Sequence, residues 1–126
     1  MEPPVDNIKL SRSAKEQLGR LKRKTGITQW NILCRWAFCL SLAEETIPGG
    51  QVPPADGPVE MTWRVFGGQY QEVYAALLKQ RCVRDRLGTS KDVLAKQLRM
   101  HVHRGISLLH GDKSLACIGD LVATRS

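Results

Sequence analysis

The side chains that could carry chemistry in this chain are mostly bases. Between Lys9 and Lys24 stand seven basic residues and one acid, Glu16, a local balance of +6. Between Lys79 and Arg104 stand eight more with two acids, Asp85 and Asp92, again +6. The whole chain of 126 residues carries only +7, so the remainder is close to neutral or acidic. Charge gathered in two blocks suits a polyanionic partner: DNA, RNA or an acidic membrane surface. Lys9, Arg12, Lys15, Arg20, Lys22, Arg23 and Lys24 are the candidate phosphate contacts, with Lys91 and Lys96 as secondary candidates.

Other chemistries find little support. His101 and His103 are two residues apart, which on a helix turns them about 200° from each other, so they cannot share a metal there. His101 follows the Leu94/Leu98 stripe and reads as a packed or hydrogen-bonded core residue. Cys34, Cys39, Cys82 and Cys117 form no Cys-x-x-Cys pair, and the expectation is buried, reduced thiols. No Gly-rich loop ends in Lys and Ser/Thr, and no Ser/His/Asp set stands out. The expectation is therefore no catalytic residue, no metal, no cofactor and no enzyme activity. Trp30, Trp36 and Trp63 could stack on bases. Each lies on an apolar stripe, so core or interface placement is preferred.

Asn7 to Ser11 alternates, with Ile8 and Leu10 on one side and Asn7, Lys9 and Ser11 on the other, the pattern of a short strand. Ser13 and Glu16 can form a capping box for a helix running to about Lys24. Ala14, Leu18 and Leu21 make its apolar stripe. Gly26 supplies a left-handed stop and Thr28 can cap the next helix, Gln29 to about Glu44. That second helix is apolar nearly all round and must be covered by the C-terminal half, a second chain or both. Trp30, Leu33, Trp36, Ala37 and Leu40 are its core or oligomer-interface candidates. Pro48 to Pro58 reads as a loop.

Met61 to Phe66 alternates as a second strand. Tyr70, Val73, Tyr74, Leu77 and Leu78 then mark a helix to about Arg86. Gly88-Thr89-Ser90 stops and recaps the chain, and Leu94, Leu98 and Val102 mark a further helix to about Arg104. A tail follows, with a short helix over Ser114 to Val122. The expected fold is one mainly α domain with one or two short strands. It comprises a strand-helix-helix unit over 8–45, a loop over 46–60 and a second such unit with a short final helix over 61–122, a coarse tandem repeat.

Strand, helix, helix is the layout of ribbon-helix-helix proteins, whose paired strands enter the DNA major groove. Here Asn7, Lys9 and Ser11 would face the bases, and the amides at Thr28 and Gln29 a phosphate. A narrower likeness lies in Thr25-Gly26-Ile27-Thr28, Asn31-Ile32-Leu33-Cys34-Arg35, Ala37 and Cys39-Leu40-Ser41-Leu42. These resemble the DndE family of DNA phosphorothioation (DNA sulfur-modification) proteins. In the same order, Tyr70 with Ala75-Ala76-Leu77-Leu78-Lys79-Gln80-Arg81 resembles the family's third helix. His101 with His103-Arg104-Gly105 resembles its His-x-x-Arg-Gly turn. Gln69 departs from the pattern, where an acid is expected. The likeness spans about Ile8 to Leu121.

The resemblance implies the smallest component of a system that replaces a non-bridging phosphate oxygen of DNA with sulfur. It implies partners in a cysteine desulfurase, an iron–sulfur protein and an ATPase. It implies binding of duplex DNA, with a preference for nicked duplex, and assembly into a homo-oligomer, a tetramer. Two other readings share the same residues: a sequence-specific ribbon-helix-helix repressor or antitoxin, and a protein–protein adaptor within the modification complex. No apolar run approaches the roughly 20 residues of a membrane span, and the N-terminus lacks a signal design, so a cytoplasmic protein without membrane contact is expected.

Overall fold

The computed structural model describes residues 3–111. Strand β1 (Asn7–Lys9) leads into helix α1 (Arg12–Thr25) and helix α2 (Trp30–Leu42). After a loop come strand β2 (Glu60–Thr62), a short helix α3 (Trp63–Gly67) and a 3₁₀ turn (Gly68–Tyr70). Helices α4 (Gln71–Arg84) and α5 (Lys91–Gly111) complete the fold. It is mainly helical with one two-stranded antiparallel ribbon, as the pattern of stripes and alternation indicates.

The strands pair within the one chain: Asn7 faces Thr62, Ile8 faces Met61 and Lys9 faces Glu60. Ile8 and Met61 point into the core, while Asn7, Lys9, Glu60 and Thr62 are exposed. Ser11 does not belong to that outward face. It is buried and caps α1, its Oγ accepting from the amide of Ala14 at 3.0 Å. The cap is therefore Ser11 and not Ser13, because helix α1 already begins at Arg12 and Ser13 lies inside its first turn. Helix α2 starts after Gln29 rather than Thr28, and Gln29 makes no side-chain cap bond.

The alternation of Met61 to Phe66 proves to be strand for two residues and helix for the rest. Thr62 Oγ1 accepts from the amide of Val65 at 3.1 Å and so caps α3. The C-terminal carbonyls of α3 are held from α2. Arg35 donates to the carbonyls of Phe66 and Val65, and Asn31 Nδ2 donates to Val65. Satisfying these end groups overrides a weak local alternation.

Helix α5 passes beyond Arg104 to Gly111, so His101 to Gly105 lies within a helix, not in a turn. Ile106 and Leu109 extend its buried stripe. Gly105 stays helical because its missing side chain lets α2 approach: a Cβ there would lie 1.7 Å from the carbonyl oxygen of Ala37. Helix α2 is thus covered by α5, which removes the need for a second chain over its inner face. Phe38 sits at the centre, edge-on to Phe66, Tyr74 and His101. The expected helix over Ser114 to Val122 lies outside the described residues.

Two glycines give contrasting expectations. Gly26 has φ +80°, and a Cβ added there would meet nothing within 4 Å. Gly26→Ala should therefore cost only the left-handed penalty, about 1 kcal/mol. Gly105→Ala must push two helices apart and should cost about 3 kcal/mol or more. Urea unfolding of both variants checks this, and equal losses would contradict it.

Candidate nucleic-acid interface

Helix α1 buries Ala14, Leu18, Leu21 and Thr25. Helical spacing distributes its bases around that stripe. Lys15 and Lys22 lie on one flank, Arg20 and Lys24 on the other, and Arg12 and Arg23 point outward with Glu16. The last turn carries Lys22, Arg23 and Lys24, favourably placed against the negative end of the helix dipole. The first flank faces the start of α2, where Lys22 Nζ lies 4.0 Å from the ring centroid of Trp30. The second faces the end of α5, where Arg20 Nη1 meets His110 Nε2 at 3.3 Å. Arg12 is exposed at its side chain, while its amide donates to Asp56 Oδ1 at 2.9 Å.

Lys9 stands on the ribbon opposite Glu60, so the outward ribbon face has Lys9, Glu60, Asn7 and Thr62 and little net charge. Lys91 and Lys96 are exposed on the first turns of α5. They lie ~18 Å and ~10 Å along its axis before His103, at 1.5 Å per residue. Since His103 meets the start of α1 and His110 meets Arg20, α1 runs away from both lysines.

Three of the eight bases of the second cluster are taken up by the fold. Arg81 is buried, pairs with Asp85 at 2.9 Å and donates to the carbonyls of Leu42 and Thr46. Arg104 donates to the carbonyls of Ser41 and Thr46. Arg99 donates to the carbonyl of Pro53. These three guanidiniums staple the α2–β2 loop to α4 and α5. Counting charge along the sequence could not separate them from surface bases.

The histidines are structural as well. Ser41 Oγ lies 2.8 Å from His101 Nδ1 and also accepts from Arg104 Nε at 2.8 Å. A hydroxyl beside an imidazole has the form of a nucleophile and base, yet both residues are 0 % exposed and no substrate reaches them. Burial, with Arg104 and Arg81 nearby, pushes the His101 pKa down to about 4. His103 has a fixed tautomer: its Nε2 accepts the amide of Ser11 at 3.1 Å, and its Nδ1–H donates to Arg99 O at 2.6 Å. Burial lowers its pKa too. Cys34 and Cys82 are buried, and burial raises the Cys34 thiol to about 12, far from a reactive thiolate. Cys39 is exposed, contrary to expectation, because α2 turns it away from α5. Cys117 lies outside the described residues.

The tryptophans divide. Trp63 is buried, while Trp30 and Trp36 are only partly covered, as is Leu40; Leu33 and Ala37 are fully buried. Trp36, Ile32 and Cys39 border a recess of about 380 Å³ with Tyr70 and Tyr74. Arg35 lines it too, and beyond it Tyr70, just before α4, and Val73 and Leu77 on α4 are exposed at 59 %, 54 % and 37 %. Among the described residues, no helix is long and apolar enough to cross a membrane and no group of three or more His, Cys, Asp or Glu side chains could hold a metal.

The fold and its surfaces define a small, mainly helical protein with a ribbon closed inside one chain and a basic first helix. A family model described as "DNA sulphur modification protein DndE" matches residues 7–116, and the chain belongs to that family. Its role is therefore part of DNA phosphorothioation. The crystal structure of DndE from Escherichia coli B7A, involved in DNA phosphorothioation modification, is similar with a TM-score of 0.70 and 28% identity, over 83% of this chain and 96% of that one. A DndE glycine-to-lysine mutant structure gives a TM-score of 0.65 and 27% identity over the same shares. No curated protein sequence matches the chain.

The depressed histidine pKa values fix a sign. Both rings are neutral when folded and bind protons more readily when unfolded, where the pKa is 6.5. Their contribution is complete above pH 6.5 and is lost as pH falls, for His101 towards its value of about 4, on the order of 3 kcal/mol. Urea midpoints should stay level above pH 7 and drop steadily between pH 6.5 and 4. A midpoint that stays flat or rises across that window contradicts the assignment.

Proposed function

We propose that this DndE protein is a non-catalytic, DNA-binding accessory component of the phosphorothioation machinery. The observation that carries the reading is the arrangement of Arg12, Lys15, Arg20, Lys22, Arg23 and Lys24 around three sides of α1. Arg81, Arg99 and Arg104 of α4 and α5 are instead drawn into the loop staples. Phosphates on both strands of a duplex, intact or nicked, would meet the first helix. The closed Ser41–His101 pair supports a binding role over a chemical one. The sulfur chemistry would belong to its partners: a cysteine desulfurase, an iron–sulfur protein and an ATPase.

A repressor that reads bases with its ribbon is less favoured. The two strands are already paired within the chain, and Glu60 offsets Lys9 on the outward face. A protein-binding role beside DNA binding is favoured by the apolar surface of Trp36, Tyr70, Val73 and Leu77. We assign that surface to assembly, with further copies in a homo-oligomer such as a tetramer or with other proteins of the system.

Binding through about four phosphates gives a log–log salt slope of roughly −3.6. Reversing charge at Lys22, Arg23 and Lys24 together should flatten that slope by about three and weaken intact and nicked duplex alike. Binding indifferent to salt, or unchanged in the triple variant, would refute the reading. Separately, Val73→Glu should lower the particle mass measured by light scattering at micromolar concentration without changing the helical circular dichroism. An unchanged mass would remove the α4 face from the assembly.

A further inference from the structure

A groove of about 760 Å³ opens where α1, the start of α2 and β2 meet. Its borders include Lys15, Gln29, Trp30, Asn31, Glu60 and Met61. Phosphate contacts along α1 do not require such a space. We propose that this groove receives a single unpaired nucleotide of bound DNA, its base stacked on Trp30 and its phosphate drawn to Lys15. The proposal deepens the DNA-binding reading and rests on it.

Five features argue for a nucleotide as the occupant. The volume exceeds what one base with its sugar needs. The wall carries a partly exposed indole, a platform any base can use. The α1 side of the lining carries Lys15. The adjoining helix end presents amides that Gln29 leaves without a side-chain cap. The opposite rim holds polar edges suited to a base: Glu60 can accept from amino groups, and Asn31 spends only its Nδ2 on the Val65 carbonyl.

Lys22, which does not line the groove, stands over the Trp30 ring, 4.0 Å from its centroid. A base on the ring outweighs that contact in magnitude. A lysine over an exposed ring changes an equilibrium by about two- to fivefold, whereas a stacked base changes binding by about five- to 150-fold.

The test compares a fully paired duplex with one of the same length carrying a single unpaired 2-aminopurine. For the intact protein, the bulged duplex should bind at least about fivefold more tightly, with the 2-aminopurine fluorescence quenched further on binding. Trp30→Ala should remove that preference and the quenching while leaving paired-duplex affinity within about twofold, and Trp30→Phe should keep most of both. Circular dichroism checks that both variants are folded. Equal affinity for the two duplexes, or a preference that survives Trp30→Ala, overturns the groove assignment while paired-duplex binding leaves the DNA reading standing. Failure to bind either duplex overturns both.

Discussion

The contact on which the fold depends is the backbone approach of α2 and α5 at Ala37 and Gly105. Only a residue without a side chain allows it, since a Cβ at Gly105 would overlap the opposing carbonyl. The close crossing brings Ser41 to His101 and Arg104 one turn away, and seats Phe38 among Phe66, Tyr74 and His101. It also sets where α1 can lie, because α5 holds the start of that helix through His103 and its later turns through His110. The position of the basic helix thus depends on a glycine that carries no charge.

Positive charge has two distinct destinations. Guanidiniums at Arg35, Arg81, Arg99 and Arg104 donate to main-chain carbonyls at helix ends and in the α2–β2 loop. A planar fork of donors suits that task, and a lysine would not replace it. The first helix, with three lysines and three arginines, keeps its charge at the surface. One composition therefore supplies both internal staples and a basic surface helix.

Much of this was legible in the residues. The stripe of Ala14, Leu18 and Leu21 marks α1, Gly26 marks its end, and the motifs around Asn31–Arg35 and Cys39–Leu42 carry the family likeness. What escaped was set by contacts distant in sequence. Ser11 replaces Ser13 as the cap because His103 and Asp56 hold the backbone amides of Ser11 and Arg12. Trp63 to Phe66 becomes helical because Arg35 and Asn31 donate to its end carbonyls. Gly105 reads as a stop until the opposing Ala37 backbone is seen. The same holds for the site: the α1 bases were identifiable by local density, whereas the loss of Arg81, Arg99 and Arg104 to the loop required the tertiary structure. The groove at Trp30 joins α1 and the start of α2 to β2, which the long loop separates in sequence.

The central claim is that α1, rather than the basic residues elsewhere, is the face presented to DNA. Lysine labelling with and without duplex DNA, read residue by residue by mass spectrometry, tests it directly. The account predicts that DNA shields Lys15 and Lys22 and leaves Lys79 on α4 as reactive as in the free protein. Shielding of Lys79 with Lys15 and Lys22 still reactive would contradict it.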